Sequence, residues 1–231
     1  MSGPGHAVIV GAGSGLSASL ARALAARGHG LTLAARDSGK LADLAAATGA
    51  RLVDMDGSDP AAMAALFDNL PDVPRVAIYN PSARVRGPIT ELDPETVRRA
   101  VEVTAFGAFL MGQAAARAML AADPRGGTIV FTGASAGIKG FPGSAAFAMG
   151  KFAQRGLAQS MSRELHPLGV HVAWVNIDGG IANPDRPGRQ DPGDDQMLNP
   201  DEIATAYLHL IDQPRSTWSS ELTLRPWLEP F

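Results

Sequence analysis

Cysteine is missing altogether from the 231 residues, which excludes disulfides, thiolate nucleophiles and thiolate metal sites together. A basic excess is missing as well. Lysine and arginine number 20 against 23 acidic residues, a formal net charge of -3, and no cluster of them is interleaved with aromatics. Proteins that grip a nucleic-acid backbone carry such a field, so nucleic acid is not an expected partner. The five histidines, His6, His29, His166, His171 and His209, are scattered without metal-ligand spacing, and no metal is expected. Long apolar runs are lacking too: none reaches the roughly 18 residues of a membrane span. The N-terminal MSGPGHAVIVGAG has no basic segment followed by a long apolar one. The expectation is a cytoplasmic protein without a membrane partner.

What is present is a core-forming composition, 45% hydrophobic, in a length that suits one large α/β domain over residues 1–231. Short apolar runs at 7–10, 31–35, 51–54, 76–79, 128–132, 170–176 and 222–224 read as strands. Helical stretches at 16–27, 38–47, 60–69, 94–121, 144–166 and 200–213 fall between them, with Pro94 suited to a first helical turn. This βαβα alternation predicts an α/β fold, a doubly wound parallel sheet of about seven strands with helices on both faces. One segment breaks the pattern. Residues 182–199, ANPDRPGRQDPGDDQMLN, hold three prolines, two glycines and six charged residues. They predict a mobile surface loop, and their place after a strand's C-terminal end suits either a lid over a cleft or a solvated insertion.

Gly11, Gly13 and Gly15 lie between the first strand and the first helix. There a backbone without side chains lets a ligand approach, and the helix's free N–H groups can bind pyrophosphate. A strict dinucleotide fingerprint would put glycine at position 16, where this chain has Leu16, and a tight turn without a ligand would also use these glycines. The looser spacing, with Ser17 at the third position, resembles the glycine motif of the short-chain dehydrogenase/reductase family. The resemblance extends from the first strand to the last and implies a Rossmann-type sheet that binds a nicotinamide dinucleotide. Its implied cofactor contacts are Gly11, Gly13, Ser14, Gly15, Leu16, Arg36, Asp56, Asn80 and Lys151. Ala35 stands where the family puts an acid for the ribose hydroxyls, and Arg36 follows it. A guanidinium can bind a 2′-phosphate that a carboxylate would repel, so the implied cofactor is NADP. Asp56 matches the acidic residue near the adenine, and Asn80 the asparagine that ends the fourth strand.

The stretch TIVFTGASAGIKGFPGSAAFAMGK, residues 128–151, reads as strand, small-residue loop and helix start. Phe147 and Lys151 are four residues apart and share a helix face. In the family this stretch supplies a tyrosine that moves the hydroxyl proton, a lysine that binds ribose and lowers the tyrosine pKa, and a serine that orients the carbonyl. An asparagine on the preceding long helix holds a water. Lys151 matches the lysine. Phe147 occupies the tyrosine position, Ala134 the serine position, with Ser135 one residue out of register, and Thr104 the asparagine position. Lys151 and Ser135 are therefore the catalytic candidates, with Tyr79, Ser82 and Ser144 as further hydroxyls near the cleft.

Three functions stay open on these residues. One is an NADP-dependent oxidoreductase for a small carbonyl, imine or activated alkene, with water, Lys151 or a displaced hydroxyl as proton source. Another is a nucleotide-binding protein without turnover, and a third a non-redox lyase or isomerase. The resemblance implies a homodimer or homotetramer paired through the helices at 94–121 and 144–166, whose Ala-rich faces allow close approach. Trp174, Trp218 and Trp227 are expected as packing anchors, and the tail LRPWLEPF as a segment docked on the sheet or on a neighbour.

Overall fold

The computed structural model describes residues 5–183, 186–193 and 195–229. The strands are β1 (His6–Val10), β2 (Gly30–Ala35), β3 (Arg51–Asp54), β4 (Pro74–Tyr79), β5 (Gly127–Thr132), β6 (Val170–Ile177) and β7 (Glu221–Leu224). They form one parallel sheet in the order β3-β2-β1-β4-β5-β6-β7. The helices are α1 (Leu16–Ala26), α2 (Ala42–Thr48), α3 (Pro60–Asp68), α4 (Pro94–Val101), α5 (Gly107–Ala121), α6 (Ala145–Leu165) and α7 (Pro200–Ile211).

The strands are apolar on both faces because helices cover both. Ala7 and Ile9 of β1 join Leu20 and Leu24 of α1 and Ile203 and Tyr207 of α7 in one layer. Val8 and Val10 join Met63 of α3, Met111 and Met119 of α5 and Leu165 of α6 in the other. Each fully buried aliphatic or aromatic side chain contributes about 1.5–3 kcal/mol, so the two layers carry the fold's stability. Helix starts follow a local rule. Asp59, Asp93 and Asn199 each accept a hydrogen bond from a main-chain N–H of the first turn, and a proline stands at the first helical position in all three.

The stretch expected as one helix over 94–121 is divided by a π turn, Glu102–Phe106, between α4 and α5. The Tyr79 hydroxyl donates to the carbonyl of Val103 at 2.6 Å. A Cβ on Gly107 would stand 2.1 Å from that hydroxyl, so the tyrosine presses against the helix at the widened turn. By length and composition alone, Pro94–Ala121 is also long and apolar enough to cross a membrane, although no such stretch was expected from the sequence. In the fold, Met111, Ala115 and Met119 of this stretch pack fully buried against the sheet.

Of the predicted loop, residues 184, 185 and 194 lie outside the described residues, as do residues 230 and 231 of the tail. The loop's described part is anchored at its base, where Ala182 N donates to the Leu198 carbonyl at 2.9 Å and Leu198 N to the Gly180 carbonyl at 2.8 Å. Strand order reverses between β1 and β4, which leaves a crevice at the C-terminal ends of the strands.

Candidate active site

A cleft of about 1080 Å³ occupies that crevice. One end is the turn between β1 and α1. Gly11 takes a φ of +81°, and a Cβ there would stand 2.5 Å from the ring of Pro81, so the position demands glycine. Its main chain is pinned from two sides: Gly11 N donates to the Ala34 carbonyl at 2.9 Å, and Ser17 Oγ donates to the Gly11 carbonyl at 3.1 Å. Asn80 Nδ2 donates to Ser17 Oγ at 2.7 Å, which ties the end of β4 to the turn. Gly13 has open space where a side chain would be, and the N-terminus of α1 opens into the same space. Gly11, Gly13, Ser14, Gly15, Leu16, Asn80 and Lys151, all singled out in the sequence, line one continuous cleft.

Two expected cofactor residues stand apart from the lining. Arg36 is exposed just beyond β2, while Asp37 and Lys40, paired at 2.7 Å, take the places on the wall. Asp56 commits its carboxylate to Ser58, which donates through main chain (2.9 Å) and hydroxyl (2.6 Å), and to Arg99. Partial burial pushes the Asp56 pKa up, but the Ser58 donors and Arg99 outweigh it and hold the carboxyl below its usual range.

Lys151 lies at the centre, 2% exposed. Its Nζ donates to the Thr132 carbonyl at 2.5 Å and to Gln154 Oε1 at 3.3 Å. Burial first, and then the Arg84 charge, push its pKa down to about 7, since neither partner is a carboxylate. Gln154 also donates to the Thr104 carbonyl at 3.2 Å and accepts from Trp174 Nε1 at 3.3 Å, so the lysine is framed by a buried polar chain. Thr104 sits in the π turn, where its hydroxyl accepts from Ala83 N at 3.1 Å. Gly150 lets α6 close on that turn, since a Cβ there would stand 2.7 Å from Thr104 Cβ.

Phe147 lines the cleft one turn before Lys151, and Ala134 lines it from the end of β5. Ser135 does not. Ala134 is fully extended (φ -162°, ψ 163°), so the next side chain points the other way. Burial raises the Asp178 pKa there, but the nearby Ser135 hydroxyl and Arg225 outweigh it and hold the carboxyl below its usual range. Tyr79 is spent on Val103, Ser144 stands outside the lining, and of the further hydroxyls only Ser82 reaches the cleft. Trp174 is a buried anchor and Trp218 stacks at 4.8 Å on His171, but Trp227 is 74% exposed. Sequence reasoning missed Arg84, Arg186 and Arg189, which also line the cleft. The Arg84 guanidinium lies 4.4 Å from the centre of the Phe147 ring. Only the unassigned positive charges in the loops at 80–93 and 182–199 could have signalled them.

A glycine turn at a strand-order reversal, joined by one cleft to a buried lysine, is an arrangement that α/β proteins use to bind nucleotides. The short chain dehydrogenase family matches residues 5–184, and the chain belongs to it. The fold superimposes on a short-chain dehydrogenase from Rhodopseudomonas palustris with a TM-score of 0.82 at 34% identity, over 96% of this chain and 99% of that one. A metagenomic short-chain oxidoreductase in complex with NADP matches with a TM-score of 0.82 at 27% identity, over 99% and 100%. Trans-4-hydroxycyclohexanecarboxylate dehydrogenase of Sinomonas cyclohexanicum is 33% identical over 193 residues, 77% of this chain and 73% of its own.

Proposed function

We propose that this chain is an NADP(H)-dependent oxidoreductase that acts by hydride transfer on a small carbonyl, imine or activated alkene, with a proton source other than tyrosine. The observation that carries the reading is the single cleft that runs from the glycine turn to Lys151 while Phe147 and Ala134 contribute no hydroxyl. Bound NADPH supplies a hydride donor at its nicotinamide. The residues present fit such a cofactor. Gly11, Gly13, Ser14, Gly15 and Leu16 present main chain and a helix N-terminus to the pyrophosphate, and the gap at Gly13 leaves it room. Arg36, exposed just beyond β2, would be the residue to take the 2′-phosphate, and Lys151 when protonated has a third N–H that it would give to ribose hydroxyls. Asp56, held by Ser58 and Arg99, would fix the loop that borders the adenine.

With Tyr79, Ser135 and Ser144 turned away from the cleft, the proton comes from Lys151, from the Ser82 hydroxyl or from water. A lysine with a pKa near 7 can hold or release a proton at neutral pH. The described part of the loop borders the cleft in this reading, since Asn183, Arg186 and Arg189 line it. Pairing of subunits uses the exposed Phe106, Phe109, Met149 and Phe152 of the π turn, α5 and α6; a monomer in analytical ultracentrifugation would rule that out.

The second reading, a nucleotide-binding protein without turnover, is favoured by the three replaced positions Ala134, Phe147 and Thr104. Calorimetry with NADPH and a panel of ketones, imines, enones and ring-bearing oxo acids separates the two. Binding with NADPH consumption supports the oxidoreductase, tight binding without consumption supports the silent protein, and absence of binding removes both.

A further inference from the structure

The substrate end of the cleft carries guanidinium groups in place of the missing hydroxyls. The Arg84 guanidinium lies over the Phe147 ring, and Arg189, from the loop after β6, brings Nη1 within 3.1 Å of where a Cβ on Gly180 would stand. Both line the cleft, as does Arg186. Among the described residues no carboxylate forms an ion pair with any of the three. Burial and the charges of Arg189, Arg86 and Arg186 all lower the Arg84 pKa, and Arg84 in turn lowers that of Lys151, so the cations act on one another. Like charges gathered around one cavity repel, and an anion between them relieves that repulsion.

The shape of the site narrows the anion. The Arg84 guanidinium carbon lies over the Phe147 ring, and among the described residues its N–H groups have no hydrogen-bond acceptor, so they suit a planar acceptor with two oxygens. Arg84 stands beside Phe147, whereas the loop of Arg189 also reaches the glycine turn, where Asn183 Nδ2 donates to Ser14 Oγ at 3.4 Å, so pyrophosphate is the competing anion for Arg189. We propose that Arg84 and Arg189 form a carboxylate-binding subsite beside Phe147, so that the substrate is a small organic acid held by its carboxylate while its reacting carbon faces the cleft's centre. The proposal rests on the hydride-transfer reading for the word substrate, but the subsite is testable by binding alone.

The test is calorimetric titration of the full chain, with and without saturating NADPH, by acetate, hexanoate and cyclohexanecarboxylate and by the matching neutral amides. At least one acid is expected to bind tenfold or more tightly than its amide, and to weaken as salt rises. Arg84→Met and Arg189→Met are each expected to remove that preference while NADPH affinity stays within twofold, and Arg84→Lys to restore part of it. Equal or absent binding of every acid and amide pair overturns the proposal. So does a variant that weakens NADPH and leaves the acid untouched, because it assigns the guanidinium to the dinucleotide phosphates. Failure of NADPH to bind defeats the cofactor reading, and the acid and amide comparison without NADPH still decides the subsite.

Discussion

The glycine-turn side of the cleft and the side around Phe147 and Arg84 differ in how they are held, and Lys151 lines the cleft with both. At the first, main chain dominates: Gly11 is fixed by Ala34 and Ser17, and Asn80 reaches Ser17 from the neighbouring strand. At the second, side chains from distant loops converge, with Arg84 on Phe147 and Arg189 across from them. Main-chain sites tolerate sequence drift where every residue but proline supplies an N–H, with Gly11 the fixed position because of its φ of +81°. Side-chain sites change their chemistry with one substitution, and here the positions that match tyrosine and serine hold Phe147 and Ala134.

The sharpest way to break the contrast is to give the second end the hydroxyls that the family pattern calls for. Phe147→Tyr combined with Ala134→Ser is expected to raise NADPH-dependent ketone reduction by roughly 10²-fold, the lower range of general acid catalysis. Absorbance of NADPH at steady state reads it. No increase would mean that substrate fit, not proton supply, limits the wild type.

A second test uses Lys151, which belongs to both ends. Its folded pKa is near 7 against 10.5 for the free side chain, so between those values the unfolded chain binds more protons than the folded one. Stability is therefore expected to rise with pH across that window, and the burial cost is complete below it. Each kcal/mol corresponds to about 2–4 °C in a chain of this size, so thermal melts resolve the trend. Lys151→Met should flatten it, and a variant as pH-dependent as the wild type would refute the assignment.

The smallest effect is expected at the first end. Arg36→Asp should weaken NADPH binding roughly tenfold relative to NADH, a loss of about 1.4 kcal/mol, near what one hydrogen bond to a charged group contributes. If affinity for both cofactors stays unchanged, Lys40 on the cleft wall, not Arg36, is the group that reads the 2′-phosphate.

Much of the first end was legible in the sequence because its signals are local. Short runs, the shortest at 222–224 and the longest at 170–176, marked every strand, and the glycines between β1 and α1 marked the turn. The second end was less so. Arg84 sits in a loop without periodicity, and its partner Phe147 lies far along the chain, so nothing local links them. The spacing that placed Ser135 near the chemistry could not say which way it points, and one extended residue at Ala134 turns it to Asp178. The π turn was invisible for a different reason. EVTAF is ordinary helical text, and the widened turn depends on Tyr79 pressing in from β4.

The contact between Arg225 and Asp178 reaches further than the tail it anchors. Arg225 follows β7 directly, Asp178 follows β6, and the Ser135 hydroxyl lies near Asp178. Pro226 packs beside Gly179, where a Cβ would stand 2.6 Å from the proline ring. The segment after the last strand thus works as a latch on the chain at Asp178 and Gly179, and cutting it before Arg225 would loosen a wall of the cleft that lies far upstream in sequence.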